Sequence, residues 1–500
     1  MRKKASLKIN TIASFAQHIV AVLCGLILPR MILGAFGSQI NGLTASISQF
    51  LGYITLMEAG TGSVMKAAMF KPLADGDNER LSAVVRASQK FFRSLAWIFL
   101  AYLAVLSLLY PLLSAEAVFP YESVLVLVLI MGINSFSQYY FGLTYQLLLQ
   151  ADQKIYYLSI LQIVTLALNV VICAVAIWLG AGIHVVKLVS CLVMLLRPVM
   201  INVYVKKHYA IDPKAPADSY AIKQRWDGLS HHIAYVVHRN TDIAILTLFS
   251  SYGEISVYSV YNMVMTAVQG MIAPFSASIT SKFGELYAKS DRERLEQGFV
   301  QYETFSLSYA TVIYTVASVM IVPFVQIYTA DVLDVDYTQH TFGLLIVLAE
   351  FLYALRNPYS NLVFAAGKFK GTKVGGMIEA GLNIALSLAL APWLGLNGVA
   401  IGTIAAMAYR TADYAWYLSK HVLHRPMVYF LRNILLCFGV FGVCYALCKF
   451  LVLPLFTFNH LGNWVLCAIV VTLLTAGVLF AVNLLLNRKN FTAALKIFSN

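Results

Sequence analysis

Charged side chains are what this 500-residue sequence has least of: Asp, Glu, Lys and Arg make up 12% of it, against 60% hydrophobic residues. A soluble globular domain carries about 25% charged residues, and a mean hydropathy of +0.74 places the chain in a membrane instead. Cysteine is sparse too. The seven present (Cys24, Cys173, Cys191, Cys437, Cys444, Cys448 and Cys467) lie in apolar runs without metal-like or framework spacing, so they read as small core hydrophobes. Segments of about ten residues with strict apolar and polar alternation are missing, which excludes a transmembrane β-barrel. HExxH and metal-like CxxC pairs are absent, and Gly367-Lys368 lacks the rest of the Gly-x-x-x-x-Gly-Lys-Ser/Thr pattern. Neither a metal site nor ATP hydrolysis by this chain is expected, and no cofactor is implied.

What the sequence holds instead is a succession of apolar runs. About fourteen reach the roughly 20 residues that a helix needs to cross a hydrocarbon core; the first lie near 10–33 and 40–68, the last near 429–452 and 462–486. Most of the 36 Lys and Arg residues fall in the N-terminal tail, in alternate loops and in the C-terminal tail. The positive-inside rule then predicts a multi-pass protein of the cytoplasmic (inner or plasma) membrane with both termini cytoplasmic. The intervening loops are short, and the one around Asp331, Asp334 and Asp336 is acidic. A cleaved signal peptide is the alternative for the N-terminus, but 10–33 has no cleavage-like end, so a retained span is expected. The formal charge of +13 is spread over many loops. That disfavours nucleic acid as a partner and favours membrane lipids, although positive-inside topology accounts for the charge without any partner.

An internal repeat organises these spans. Asp77-Asn78-Glu79-Arg80-Leu81 recurs as Asp291-Arg292-Glu293-Arg294-Leu295, Trp178-Leu179-Gly180 as Trp393-Leu394-Gly395, Asn169 as Asn383 and Arg197 as Arg410, all displaced by 213 to 215 residues. Six spans separate each pair, an even number, so the halves share one orientation. The predicted fold is an all-α integral membrane protein of two six-helix lobes related by a pseudo-twofold along the membrane normal, plus two C-terminal helices. Its expected divisions are an N-terminal lobe at 1–206, a cytoplasmic linker at 207–228, a C-terminal lobe at 229–418, and two added spans with a cytoplasmic tail at 429–500.

Local text narrows the class. Arg356-Asn357-Pro358-Tyr359, Ala365-Ala366-Gly367-Lys368-Phe369-Lys370, Ile378-Glu379-Ala380, Asn383-Ile384 and Gly395-Leu396-Asn397-Gly398 followed by Ile401-Gly402-Thr403 and Tyr409-Arg410 lie in the second half. Asn240-Thr241-Asp242, Val257-Tyr258-Ser259-Val260-Tyr261-Asn262, Gly42-Leu43 and Glu58-Ala59-Gly60 precede them. These stretches resemble the polysaccharide-transporter branch, with its O-antigen type flippases, of the multidrug, oligosaccharidyl-lipid and polysaccharide exporter superfamily. The resemblance covers about residues 10–418. It implies a flippase that moves a polyprenyl-diphosphate-linked oligosaccharide from the inner to the outer leaflet, with membrane lipids and polysaccharide-assembly proteins as partners. Two alternatives stay open: a cation-coupled multidrug exporter of the same superfamily, and a membrane-embedded polysaccharide polymerase or ligase. The short external loops disfavour the second, so the chain is expected not to be an enzyme.

Buried charge supplies the candidate site. A charged side chain at mid-membrane costs about 2.5 to 3.5 kcal/mol on insertion scales, so each should face a cavity or a partner. Lys66, Glu303 and Glu379 are placed near cytoplasmic helix ends, where snorkelling is easy. Glu58, Arg239, Asp242, Glu350 and Arg356 remain as candidate substrate-binding residues. Arg239 and Asp242 are three apart on one helical face; they form either an internal salt bridge or a guanidinium offered to phosphate and held by Asp242 until substrate arrives. Arg356 has the same potential. Its repeat-related position is Phe141, and Ser135 matches Glu350, so symmetry does not demand these charges. Asn357-Pro358 is expected to break its helix locally. His231, His232 and His238 form either a proton relay or a polar helix end. Tyr258, Tyr261 and Asn262 offer sugar stacking or membrane-interface anchoring, and Gly395, Gly398 and Gly402 offer close helix packing.

Overall fold

A computed structural model describes residues 7–58, 61–113, 119–218, 229–272, 283–287, 289, 291–368, 370–486, 488 and 491, with backbone only at 7, 229–235, 238, 239 and 370. Among the described residues every regular element is a helix. Nine segments among the described residues are helical, long and apolar enough to cross a bilayer. The chain is thus an all-α multi-pass membrane protein. The chain folds into two compact units, Met1–Ser256 and Val257–Asn500.

The first unit holds α1 (Leu7–Gly52), α2 (Thr55–Glu58), α3 (Thr61–Asp75), α4 (Asn78–Leu113), α5 (Tyr121–Ser137), α6 (Leu143–Ala151), α7 (Ile155–Trp178), α8 (Ile183–His208) and α9 (Leu229–Phe249); α10 (Tyr252–Gly270) begins within it. The first two expected spans meet inside α1. Gly37 breaks that helix with φ 79°, a conformation open chiefly to glycine. A π-helical turn at Gln138–Gly142 joins α5 to α6 without ending the span. Outward positions of α8, such as Val199 and Val203, are exposed as lipid-facing residues should be, while Val186, Val193, Ile201 and Val205 are buried.

α1 packs on α9 and the start of α10 through small and polar groups. Ser46 Oγ and Thr247 Oγ1 lie 2.5 Å apart, Asn41 donates to Ser256 Oγ at 2.7 Å, and the Tyr53 hydroxyl donates to the Asn240 carbonyl at 3.1 Å. Gly42 makes the approach possible, because a Cβ there would come within 1.7 Å of the Tyr252 carbonyl oxygen. In hydrocarbon such contacts replace the hydrophobic effect as the force that holds helices together.

The second unit holds α11 (Arg292–Tyr328), α12 (His340–Ala365), α13 (Lys373–Leu394), α14 (Leu396–Leu418), α15 (Val428–Leu447) and α16 (Leu461–Leu486). Asp291 caps α11 by accepting from the Arg294 amide, and Asp77 does the same for Arg80 at the start of α4, so the repeated acidic-basic motif is a helix N-terminus in both halves. α13 and α14 touch closely. Added Cβ atoms at Gly398 and Gly402 would lie 2.5 Å from the Leu390 carbonyl and 2.4 Å from Ser387 Oγ, which bears out the packing role expected of these glycines. Asn357-Pro358 does not break its helix: α12 runs unbroken from His340 to Ala365 with Pro358 buried inside it. Dense packing on both sides outweighs the one backbone hydrogen bond that proline removes. α16 is anchored on α11, where Trp464 Nε1 donates to the Met320 carbonyl and Asn483 Nδ2 to Ser308 Oγ.

The α1–α9 contact is open to a direct test. Ser46→Cys combined with Thr247→Cys in a cysteine-free background should cross-link under mild oxidant, read as a gel shift. Adding Gly42→Leu should abolish the cross-link by forcing the helices apart. No cross-link in the pair would show that the two helices do not meet there.

Candidate functional site

α12, α13 and α14 each bring charge to one place in the second unit. Arg356 Nη1 lies 2.7 Å from Glu379 Oε1, and the other oxygen of the same carboxylate lies 3.1 Å from Arg410 Nε. Arg410 in turn contacts Asp413 at 2.6 Å, the Thr372 carbonyl at 3.0 Å and the Tyr414 hydroxyl at 2.8 Å. The Arg410 side chain is 1% exposed, Glu379 5%, Arg356 12% and Asp413 21%, so exposure rises from the centre of the chain of charges towards its ends. Aromatic faces complete the lining: the Arg356 guanidinium carbon sits 4.4 Å from the Tyr353 ring centre, and that of Arg410 3.9 Å from the Tyr414 ring centre. Gly375 leaves the room for this, since a Cβ there would sit 2.0 Å from an Asp413 carboxylate oxygen.

The sum of these charges is zero. Two guanidinium groups face two carboxylates, which is the arrangement that lowers the insertion cost of each. A second buried pair repeats the pattern at Glu303, which accepts from Arg425 at 2.6 Å and from the Tyr359 hydroxyl at 2.6 Å and is 1% exposed. The snorkelling expected of Glu303 and Glu379 is therefore corrected. Both are buried inside the helix bundle, because each finds a guanidinium there. The roles of Glu379, Arg410 and Asp413 were legible in part: an arginine three residues before an aspartate within one apolar span marks a same-face pair.

The other candidates are distributed. Glu350 is buried in α12 at 7% exposure. In the first unit Glu58 is hydrogen-bonded by the Tyr139 hydroxyl, and Asp242 is buried beside Tyr53, whose hydroxyl also meets Thr241. The Arg239 side chain and those of His231, His232 and His238 lie outside the described residues, so the Arg239–Asp242 pairing does too. Tyr261 is a core residue and not a sugar platform: it is buried, with its hydroxyl donating to the Tyr337 carbonyl at 2.9 Å and its ring against Phe342. A cavity of about 260 Å³ lies between α4, α6 and α8, lined by Arg86, Gln89, Tyr145, Lys206 and Tyr209. Among the described residues no cluster of His, Cys, Asp and Glu has the arrangement of a metal site.

No protein family's sequence profile matches the chain, and no curated protein matches it significantly. Solved structures do. The lipid II flippase MurJ in an inward closed conformation aligns with a TM-score of 0.70 at 15% identity, over 94% of this chain and 98% of that one. An inward-facing multidrug resistance MATE family transporter of the MOP superfamily aligns at 0.62 and 16%, over 80% and 93%. A MOP superfamily transporter from Pyrococcus furiosus, described as having a binding pocket of reverse polarity that suggests a different function, aligns at 0.55 and 15%, over 84% and 94%. The chain thus has the fold of the multidrug, oligosaccharidyl-lipid and polysaccharide exporter superfamily.

The charge network predicts unequal mutants. Arg410→Met strips Asp413 of its guanidinium and should cost about 3 to 5 kcal/mol of stability. Arg356→Ala leaves Glu379 still paired with Arg410 and should cost less, on the order of 1 to 3 kcal/mol. Thermal unfolding of the purified variants in detergent checks the order, and equal losses would show that Arg410 does not sustain Glu379.

Proposed function

We propose that this protein is a flippase that carries a polyprenyl-diphosphate-linked oligosaccharide from the inner to the outer leaflet of the cytoplasmic membrane, of the polysaccharide-transporter, O-antigen type, with repeat halves at 1–206 and 229–418. The observation that carries this is the extent of the likeness to the lipid II flippase. An alignment over 94% of the chain leaves only about 30 residues out, fewer than the 73 from Val428 to the end, so it includes part of the α15–α16 region. The alignments with the multidrug resistance transporter and with the Pyrococcus furiosus transporter cover 80% and 84%. The arginines add a chemical reason, since guanidinium groups recognise phosphate oxygens bidentately.

In the mechanism we infer, Arg356 is the guanidinium of the second unit that meets the diphosphate. It is the more exposed arginine of its network, and Glu379 holds it in place until substrate competes for it. Arg239, Asp242, Glu350 and Glu58 complete the polar path as substrate-binding residues. The lipid tail stays in the bilayer while the headgroup crosses by alternating access, and the α1–α9 contact must part in one half of the cycle. Moving an anionic headgroup outward across an inside-negative membrane is favoured by roughly 2.3 kcal/mol per charge per 100 mV, so the membrane potential alone can bias transport.

Deleting the protein should confine the lipid-linked oligosaccharide to the inner leaflet, as scored with a sugar-binding probe that does not cross the membrane. Normal external display of the precursor would overturn the assignment and turn attention to drug export. In complemented cells Arg356→Ala should lower transport at least tenfold while the protein remains inserted. Cross-linking Ser46→Cys to Thr247→Cys should halt transport until reductant is added. Transport through the cross-linked protein would refute alternating access at this contact.

A further inference from the structure

The internal repeat pairs Arg410 with Arg197, and the two arginines meet opposite surroundings. Arg410 is held by Glu379, Asp413, Tyr414 and the Thr372 carbonyl. In the first half the positions that match Glu379, Asp413 and Tyr414 are Thr165, Met200 and Ile201, by the same offsets that align Asn169 with Asn383 and Arg197 with Arg410. None of the three carries a negative charge. The Thr165 hydroxyl donates to the Leu161 carbonyl of its own helix at 2.8 Å, Ile201 is buried hydrocarbon, and Met200 is an exposed thioether.

Arg197 is accordingly left without an anion. Its Nε is buried and makes no hydrogen bond, and among the described residues no carboxylate lies at ion-pair distance from it. The residue as a whole is half-buried, so the guanidinium is not sealed off. Lys187, on the same helix, likewise has no carboxylate at ion-pair distance among the described residues. The described buried arginines of the second unit, Arg356, Arg410 and Arg425, are by contrast each neutralised. A lone cation inside an apolar span is costly, and such a residue marks a ligand or ion path.

We infer that Arg197 is an anion-binding residue within the first unit whose counter-charge is supplied by ligand, and that the ligand group it takes is the phosphate of a lipid diphosphate. The identity of the anion rests on the flippase reading; the vacancy in Arg197's pairing does not. The repeat thus places one arginine as structure and its counterpart as a binding group.

The inference separates cleanly from a structural role. Arg197→Met should keep or raise the unfolding temperature of the purified protein, since it removes an unpaired charge from apolar surroundings, whereas Arg410→Met lowers it. Farnesyl diphosphate, but not farnesol, should raise the unfolding temperature of the wild-type protein. That shift should vanish in Arg197→Met and be partly retained in Arg197→Lys, and transport by Arg197→Met should fall at least tenfold. A loss of stability in Arg197→Met like that of Arg410→Met, a diphosphate shift that survives the substitution, or wild-type transport would each overturn the assignment while leaving the flippase reading intact. If a deletion strain displays its oligosaccharide normally, yet the diphosphate shift depends on Arg197, the flippase reading fails and the anion site stands.

Discussion

An ion inside a hydrocarbon layer has to find its opposite, and much of this structure follows from that requirement. Water is absent as a partner, so each buried carboxylate and guanidinium either pairs within the protein or depends on something that arrives from outside. Glu379 binds two arginines at once, through separate oxygens. That double use ties α12, α13 and α14 together more tightly than apolar packing does, because lipid tails compete with apolar side chains on equal terms. Glu303, Tyr359 and Arg425 fasten α11 and α12 to the segment before α15 in the same way.

The two halves spend their charges differently. In the second, positive and negative groups are matched and the network is neutral. In the first, Glu58 and Asp242 lie beside tyrosines, while Arg197 meets none of the acids that hold its repeat partner. The two repeat-related arginines differ because the positions that match Glu379, Asp413 and Tyr414 are Thr165, Met200 and Ile201 in the first half. A transporter of an anionic headgroup gains from such an arrangement, because affinity for the ligand comes from a charge that the resting protein has not already satisfied.

Helix contacts follow the same economy of polar groups. Ser46 with Thr247, Asn41 with Ser256 and the bare α-carbon of Gly42 under Tyr252 give an α1–α9 contact made of hydrogen bonds and close backbone approach. Contacts of this kind are specific in register and modest in energy, which suits a joint that has to part and re-form. The contact between α13 and α14 uses the same small-residue approach, with ion pairs added around Arg410, and suits a part that stays rigid.

The sequence by itself determined the membrane class, the helical fold, the internal repeat and the existence of buried charges, because these depend on composition and periodicity along one chain. It also marked Arg356, Glu350, Asp242 and Glu58 as charges that need an account. Tertiary structure alone decided how those charges are shared. Glu379 and Glu303 read as snorkelling residues until other parts of the chain placed guanidinium groups against them, and Pro358 read as a break although α12 runs unbroken through it. Arg410 and Arg197 are alike in the sequence. Pairing is a property of neighbours across helices, which no local pattern specifies, and only the folded bundle shows one arginine satisfied and the other still waiting for an anion.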